Sequence, residues 1–129
     1  MKYVMDTGVL SLFYAGDERV RPFFDQIQDG RAQGYVSSVN LAEFYYKVCQ
    51  KLGKDTATVR FHQTQTILEA VETDGELTKA AGMNKCKYGH LSLADTFAAA
   101  LTEELGGTLL TTDEALLKVA EIRVKHFSV

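Results

Sequence analysis

This 129-residue sequence lacks the features of a disulfide-stapled, zinc-binding or membrane-inserted protein. It contains only two cysteines, Cys49 and Cys86, and their spacing is not that of a metal site, so we expect two reduced thiols. The three histidines are scattered, which argues against zinc. Every apolar run stops well short of the ~20 residues that cross a bilayer, and the N-terminus lacks a cleavage-type small-residue site. We therefore predict a cytoplasmic protein without a membrane segment.

Linkers and repeats are also missing. The chain has a single proline, no low-complexity stretch and no internal repeat, so nothing marks a domain boundary. Its length and its 46% hydrophobic content suffice for one substantial core but not for two ordinary domains. We predict one domain spanning residues 1–129.

Short strand patterns alternate with helical patterns along the chain. Because strands separated by helices require crossover connections, this order predicts an α/β fold: three α/β/α layers around a central, mainly parallel sheet. Strands are predicted over 2–5, 34–39, 107–112 and 121–127, and helices over 18–29, 40–52, 56–71, 76–86, 92–105 and a short stretch from 114. In open parallel sheets, ligands bind outside the carboxyl ends of the strands.

Acidic residues occupy the junctions where such ligands bind. Asp6 follows the first strand, Glu43 lies near the head of the 40–52 helix, and Asp113 follows the 107–112 strand. Asp95 lies in the first turn of the 92–105 helix, off the apolar face that Leu93, Phe97 and Leu101 would form. The pattern raises the question whether these acids cap helices or form one site.

Helix capping is a sufficient explanation for most of them taken singly. Ser92 and Asp95 have the spacing of a capping box, Asn40 and Glu43 have the same spacing, and aspartate is a preferred N-cap at position 113. Asp6 differs because a lone carboxylate after a buried strand costs several kcal/mol unless it is paired or metal-bound. Capping also does not explain why four acids should converge on one sheet edge.

Convergence of the acids favours a metal site. Carboxylates that lie close together raise one another's pKa, and a divalent cation removes that penalty. A site made only of aspartate and glutamate oxygens suits Mg²⁺ or Mn²⁺. The joint interpretation is a hydrolytic metal site, with the flank of Ala98 and Ala99 leaving room for a substrate backbone beside Asp95.

Several motifs, in this order, resemble one known family. VMDTGVL, VNLAEFYYKV and KYGHLSLADTFAAALTEELGGTLLTTDEAL are similar to the corresponding segments of PIN-domain ribonucleases, especially the VapC-like toxins of type II toxin–antitoxin pairs. The resemblance covers essentially the whole chain and is most specific over 87–114. The departures are Gly8, where serine is common, Thr112, where glycine is frequent, and Leu116, where an aromatic residue is frequent.

The resemblance implies a function and a set of roles. It implies a PIN-like fold and Mg²⁺- or Mn²⁺-dependent cleavage of RNA phosphodiester bonds. Asp6, Glu43 and Asp95 match metal-binding acids, Asp113 matches a fourth acid, and Thr7 and Thr111 match supporting hydroxyl residues. It also implies a homodimer and a small cognate antitoxin, for which we expect a groove between helices 18–29 and 40–52.

The residues themselves give weaker evidence for RNA binding than the resemblance does. The net charge of −3 becomes +1 when the four site acids are set aside (−3 + 4), so the rest of the chain is not acidic. A helical stripe from Glu43 and a group before Asp95 supply cationic candidates for phosphate contacts, although either set also fits a solvated surface. The RNA-contact candidates are Lys47, Lys51, Lys54, Lys85, Lys87 and His90.

Two alternatives to the toxin stay open on sequence grounds. One is an RNA-processing nuclease of the same fold without an antitoxin, and the other is a nuclease-inactive scaffold that binds RNA or protein. The sequence does not identify the RNA, the cleavage site or the antitoxin.

Overall fold

The computed structural model describes all 129 residues and has a five-stranded sheet at its centre. Every pairing is parallel and the strand order is β3-β2-β1-β4-β5, which confirms the predicted α/β class. β5 is an edge strand, as its alternating pattern predicts. The strands are β1 (Lys2–Met5), β2 (Gln33–Ser37), β3 (Glu69–Val71), β4 (Thr108–Thr111) and β5 (Arg123–His126).

Helices cover both faces of this sheet. A short 3-10 helix, Glu114–Lys118, follows β4. The α-helices are α1 (Thr7–Tyr14), α2 (Arg21–Gln28), α3 (Ser38–Leu52), α4 (Lys54–Ile67), α5 (Gly75–Lys87) and α6 (Leu93–Leu105).

The alternation of side chains along β1 divides the core into two halves. Tyr3 and Met5 pack among the buried residues of α1 to α4, whereas Val4 packs on the opposite face with α5, α6 and the 3-10 helix. The chain therefore forms three layers, as predicted. The connections leave β1 in opposite directions, to β2 on one side and β4 on the other. The carboxyl ends of β1 and β4 thus form a topological switch point, where ligands bind in such sheets.

Two elements are absent from the sequence prediction. α1 was not foreseen because its eight residues follow β1 directly and show no polar face; the Asp6 cap and burial of Val9 and Leu10 stabilise it. The predicted 56–71 helix is wrong at its end, since α4 stops at Ile67 and the chain becomes β3. β3 forms by pairing with β2, a tertiary contact that local periodicity does not contain.

The start of α3 also differs from the prediction. The helix begins at Ser38 because the Ser37 side chain accepts a hydrogen bond from the Asn40 N–H at 3.0 Å, so Ser37 and not Asn40 is the N-cap. Strand β2 is correspondingly shorter than the predicted 34–39. Glu43 therefore lies in the second turn of α3 and not at its head.

α6 is buried on all sides and has no separate polar flank. Residues Ala94 to Thr102 are all buried, and the helix contacts α3, α5 and three strands. The interpretation of Ala98 and Ala99 as space for a substrate is therefore wrong: both side chains are fully buried in the core. Leu93, expected on the apolar face, is 59% exposed instead. Alanine at these positions lets α6 lie close to the sheet.

Candidate metal centre

Asp6 is the most buried acid of the switch point, with 4% of its surface exposed. One carboxylate oxygen, Oδ1, accepts a hydrogen bond from the Val9 N–H at 2.8 Å and so caps α1. The other, Oδ2, accepts from the Thr111 hydroxyl and from the Thr112 N–H at 3.2 Å. Burial raises the pKa of Asp6, and these hydrogen bonds oppose that rise. The carboxylate is therefore fixed in orientation by both neighbouring elements.

Asp95 lies in the first turn of α6, beside Asp113. The Asp95 N–H donates to Ser92 Oγ at 3.1 Å, so Ser92 caps the helix as predicted. The Asp95 carboxyl, however, makes no hydrogen bond to the Ser92 N–H, so the reciprocal half of a capping box is absent. Burial, a hydrogen bond shared with Asp113 and the Asp113 charge raise the pKa of Asp95 to about 7. The capping explanation thus leaves the Asp95 carboxyl unaccounted for.

Asp113 completes the group from the end of β4. It caps the 3-10 helix by accepting from the Ala115 N–H at 2.9 Å, and its own N–H donates to Thr111 Oγ1 at 2.9 Å. The hydrogen bond from Asp95 lowers the pKa of Asp113, with smaller contributions from the positive charges of His126 and His90. The pKa values of Asp95 and Asp113 are therefore shifted in opposite directions by their interaction.

The three aspartates have the chemistry of a site for a hard divalent cation. Asp6 and Asp95 each have a raised pKa to which the Asp113 charge contributes, so the three carboxyl groups act on one another electrostatically. All potential donors are carboxylate oxygens, the type that Mg²⁺ and Mn²⁺ prefer. No group of three or more acidic, histidine or cysteine side chains is yet arranged as a complete ligand set. The residues fit such an ion in chemistry and place, and binding would require side-chain adjustment.

Comparison with known proteins gives the family. The sequence profile described as the PIN domain matches residues 3–122, nearly the whole chain. The chain belongs to the PIN domain family. No curated protein sequence matches it.

Solved structures share the fold of this PIN domain at low sequence identity. VapBC2 from Rickettsia felis, bound to a promoter DNA fragment, has a TM-score of 0.82 at 15% identity, with 99% of this chain and 100% of that chain covered. DNA-bound VapBC from Salmonella typhimurium has a TM-score of 0.80 at 16% identity and 98% coverage of both chains. VapC20 from Mycobacterium tuberculosis, described as a Sarcin-Ricin loop cleaving toxin, has a TM-score of 0.74 at 16% identity, covering 94% of this chain and 98% of its own.

Two of the predicted site residues face other partners in this PIN domain. The half-buried Glu43 carboxylate lies 3.8 Å from the exposed Lys47 Nζ, and the two form an ion pair along α3. Thr7 donates its hydroxyl to the Asn40 carbonyl at 3.2 Å and so joins α1 to α3. The roles of Glu43 as a metal ligand and of Thr7 as a supporting residue of the site stay predictions. In this structure the Thr7 hydroxyl bonds the backbone of α3.

The cationic candidates divide into two groups. Lys47 and Lys51 line a groove on α3, but Lys54 belongs to the next helix because Gly53, with a φ of 92°, ends the stripe. The second group is engaged elsewhere: Lys85 Nζ donates to the Gly89 and Leu91 carbonyls, and Lys87 pairs with Glu121 at 3.4 Å. These bonds hold the α5–α6 connection, so a phosphate contact by Lys85 would have to break them.

Histidines near Asp113 include one that the sequence analysis missed. His126 is the register partner of Thr111 on the neighbouring strand β5, and its charge acts on Asp113. To predict that His126 lies beside Thr111, one would have to know how β4 and β5 pair, and the alternating pattern of residues 121–127 does not specify that pairing. His90, a predicted RNA contact, also acts on Asp113 from the loop before α6.

Replacing Thr111 with valine should weaken the centre without changing its shape. Thr111 is fully buried, and its hydroxyl joins Asp6 to the Asp113 backbone. We expect Thr111→Val to lower Mn²⁺ affinity by about 10- to 100-fold, since hydrogen-bonded partners of metal ligands have effects of that size. Thr102→Val is the matched control, because Thr102 is equally buried but bonds only the Ala98 carbonyl of its own helix. Isothermal titration with Mn²⁺ measures both; equal affinities would contradict the assignment.

Proposed function

We propose that this PIN domain is a metal-dependent endoribonuclease, the toxin of a VapBC-type toxin–antitoxin pair. The observation that carries the proposal is the convergence of Asp6, Asp95 and Asp113 at the switch point of the sheet, where the interaction of two carboxyl groups raises the pKa of Asp95 and lowers the pKa of Asp113. Two of these residues come from strand ends and one from a buried helix. Such a cluster is costly as a purely structural feature and is explained by a bound divalent cation.

The residues have distinct tasks in the proposed reaction. Asp6, Asp95 and Asp113 would hold the Mg²⁺ or Mn²⁺ ion, and Glu43 would join them if its side chain left Lys47. The bound ion supplies a water of lowered pKa and neutralises charge on the phosphoryl oxygens. Thr111 and the backbone N–H groups of Val9 and Thr112 orient Asp6 throughout. In-line attack by water leaves a 5′-phosphate and a 3′-hydroxyl.

A basic groove along α3 supports RNA as the substrate. It lies between α1, α3 and α4, has a volume of about 450 Å³, and contains three cations but no acid: Lys47, Lys51 and Arg60. Its apolar lining includes Phe44 and Val48. α3 packs on α1, α4 and α6, while α2 packs on α4 and β2; the antitoxin groove between helices 18–29 and 40–52 stays a prediction. We assign the observed groove to the RNA backbone.

Neutralising the groove should weaken RNA binding in a salt-dependent way. We expect Lys51→Gln and Arg60→Gln each to lower affinity for single-stranded RNA severalfold and to reduce the slope of log K against log salt by about 0.7 per lost phosphate contact. Fluorescence anisotropy with a chelator present measures binding without cleavage. Lys79→Gln, on the exposed side of α5, is the control. An unchanged slope in both groove variants would exclude the groove as the RNA path.

The reaction itself is tested with purified protein and RNA. We expect cleavage with Mn²⁺ or Mg²⁺, none with a chelator, and product ends that carry 5′-phosphate and 3′-hydroxyl when sequenced. Cleavage that survives chelation, or 2′,3′-cyclic phosphate ends, would refute the metal mechanism. The same end sequencing after controlled expression identifies the target RNA.

The toxin role and its partners rest on the relatives. The solved VapBC structures are complexes of toxins with antitoxins, which supports a small cognate antitoxin for this chain. A homodimer stays a prediction, as does a cytoplasmic location, which the two free cysteines fit. No helix has the length and apolar character needed to cross a membrane. Growth arrest on expression, relieved by the small protein encoded beside the gene, would separate a toxin from an RNA-processing nuclease.

A further inference from the structure

Gly8 and Thr112 occupy one side-chain space between them. A Cβ atom built on Gly8 would lie 1.9 Å from Thr112 Oγ1, far inside any real contact distance. Gly8 has no positive φ, so its backbone conformation would accept any residue. Thr112 is therefore the near neighbour that prevents position 8 from carrying a side chain.

Rotation of the threonine would relieve this contact only in part. The three atoms nearest to the built Cβ all belong to Thr112, with its Cβ at 3.0 Å and its Cγ2 at 3.1 Å. Turning χ1 can place Cγ2 or Hβ where Oγ1 lies; even with Hβ there, Cβ stays 3.0 Å from the built atom and the position at 3.1 Å stays occupied, so both distances remain shorter than an ordinary van der Waals contact. Only removal of the Thr112 side chain, including its Cβ, opens the space fully. Positions 8 and 112 thus accept one side chain, not two.

The Thr112 hydroxyl lies at the candidate metal centre without a partner of its own. Thr112 separates Thr111 from Asp113, and its N–H donates to Asp6 Oδ2 at 3.2 Å. Its side chain covers the first turn of α1, two residues from Asp6, and its hydroxyl makes no hydrogen bond to the rest of the chain. The hydroxyl is also not buried, because no buried side-chain polar atom lacks a partner. The Thr112 hydroxyl is therefore a hydrogen-bond donor without a protein partner next to the carboxylate cluster.

We propose that Thr112 is a substrate-contact residue of the nuclease site, whose hydroxyl occupies the space above α1 that a side chain at position 8 would otherwise fill and hydrogen-bonds the scissile phosphate. The proposal rests on the proposed function for the substrate but not for the packing. It explains two of the sequence departures together: a hydroxyl residue at 112 requires glycine at 8. The hydroxyl acts on substrate and not on the metal, since the ligands Asp6 and Asp113 are held by other bonds.

The packing half is tested by thermal unfolding, which needs no nuclease activity. We expect Gly8→Ala to lower the melting temperature by about 5 °C or more, because it overpacks a fixed contact. In the Thr112→Gly background the same change should cost little or nothing, since the space is open. If Gly8→Ala destabilises both backgrounds equally, the shared space is refuted.

The hydroxyl half is tested by cleavage kinetics with Mn²⁺. Thr112→Val keeps the volume and should lower kcat/KM by about 10-fold or more, the usual effect of losing a hydrogen bond to a charged group, with an unchanged melting temperature and unchanged Mn²⁺ affinity. Thr112→Ser should recover most of the loss. Thr66→Val, an exposed threonine at the end of α4, is the control.

Moving the hydroxyl to the other position separates contact from packing. The Gly8→Ser/Thr112→Gly double variant should regain both stability and cleavage, whereas Gly8→Ala/Thr112→Gly should regain stability alone. Equal activity of the two double variants, or wild-type kinetics for Thr112→Val, would overturn the substrate contact. If wild-type protein shows no metal-dependent cleavage, the proposed function fails, while the unfolding cycle still decides the packing.

Discussion

Asp6→Asn and Asp95→Asn should each lower metal-dependent RNA cleavage by more than about 100-fold, a larger loss than removal of a residue that only orients a ligand. Both substitutions keep the size of the side chain and remove its charge. Asp6 lies at the end of β1 and Asp95 in the first turn of α6, so the two reach the centre from independent elements. Cleavage of a labelled RNA under single-turnover conditions measures the loss.

A matched control tests whether the loss of cleavage comes from the site itself or from removing any acidic charge at the start of a helix. Asp55 also lies in the first turn of a helix, α4, but it is exposed. We expect Asp55→Asn to leave the cleavage rate within a factor of about two, since first-turn acids are worth only a few tenths of a kcal/mol to the helix. Full activity in both Asp6→Asn and Asp95→Asn would leave the cluster without a catalytic role.

The same Asp95→Asn substitution should stabilise the metal-free protein. At pH 8 the Asp95 carboxyl, with a pKa of about 7, is ionised in a buried place beside Asp113. An asparagine amide carries no charge and can donate to the Asp113 carboxylate. We expect the free energy of unfolding to rise by about 1–3 kcal/mol, given 1.36 kcal/mol per pKa unit and partial compensation by Asp113. Urea unfolding with a chelator measures this change.

The gain should depend on pH in a defined direction. Because the folded-state pKa of Asp95 is raised, its protonated form contributes stability that is fully present below 3.8 and is lost as the pH rises through about 7. Asp6 has a pKa raised in the same direction, whereas the lowered pKa of Asp113 acts only at more acidic pH. The wild-type and Asp95→Asn stability curves should therefore diverge between pH 4 and 7.

Added metal supplies the internal check for this second result. We expect Mn²⁺ to bind the folded wild type and to raise its stability, whereas Asp95→Asn should gain much less. If Asp95→Asn cleaves RNA more slowly than wild type but is more stable without metal, the loss of cleavage is not caused by unfolding. A variant that is less stable than wild type at pH 8 without metal would contradict the electrostatic account of the centre.

The sequence predicted the architecture because strand and helix periodicities were strong where the core is. It failed where structure depends on partners: α1 is stabilised by the Asp6 cap and by packing, and β3 exists only beside β2. The same division holds for the site. Asp6 and Asp113 follow from the strand ends and Asp95 from a helix start, but the ion pair of Glu43 with Lys47 and the place of His126 depend on rotamers and register.

The Gly8–Thr112 contact shows why departures from a family pattern are hard to interpret singly. Each residue alone suggests a small change at the edge of the site. The structure shows that they touch, so one choice determines the other. The two residues are more than a hundred positions apart in the sequence, so the sequence alone does not reveal that they touch.

The burial of α6 has a consequence for the motions of the molecule. Nine consecutive residues of this helix, Ala94 to Thr102, are enclosed by α3, α5 and the sheet. Amide hydrogens in such an element exchange with solvent only when the whole domain unfolds. We therefore expect Asp95 to project from one of the slowest-exchanging segments of the chain. The orientation of its backbone is then tied to the global stability of the domain.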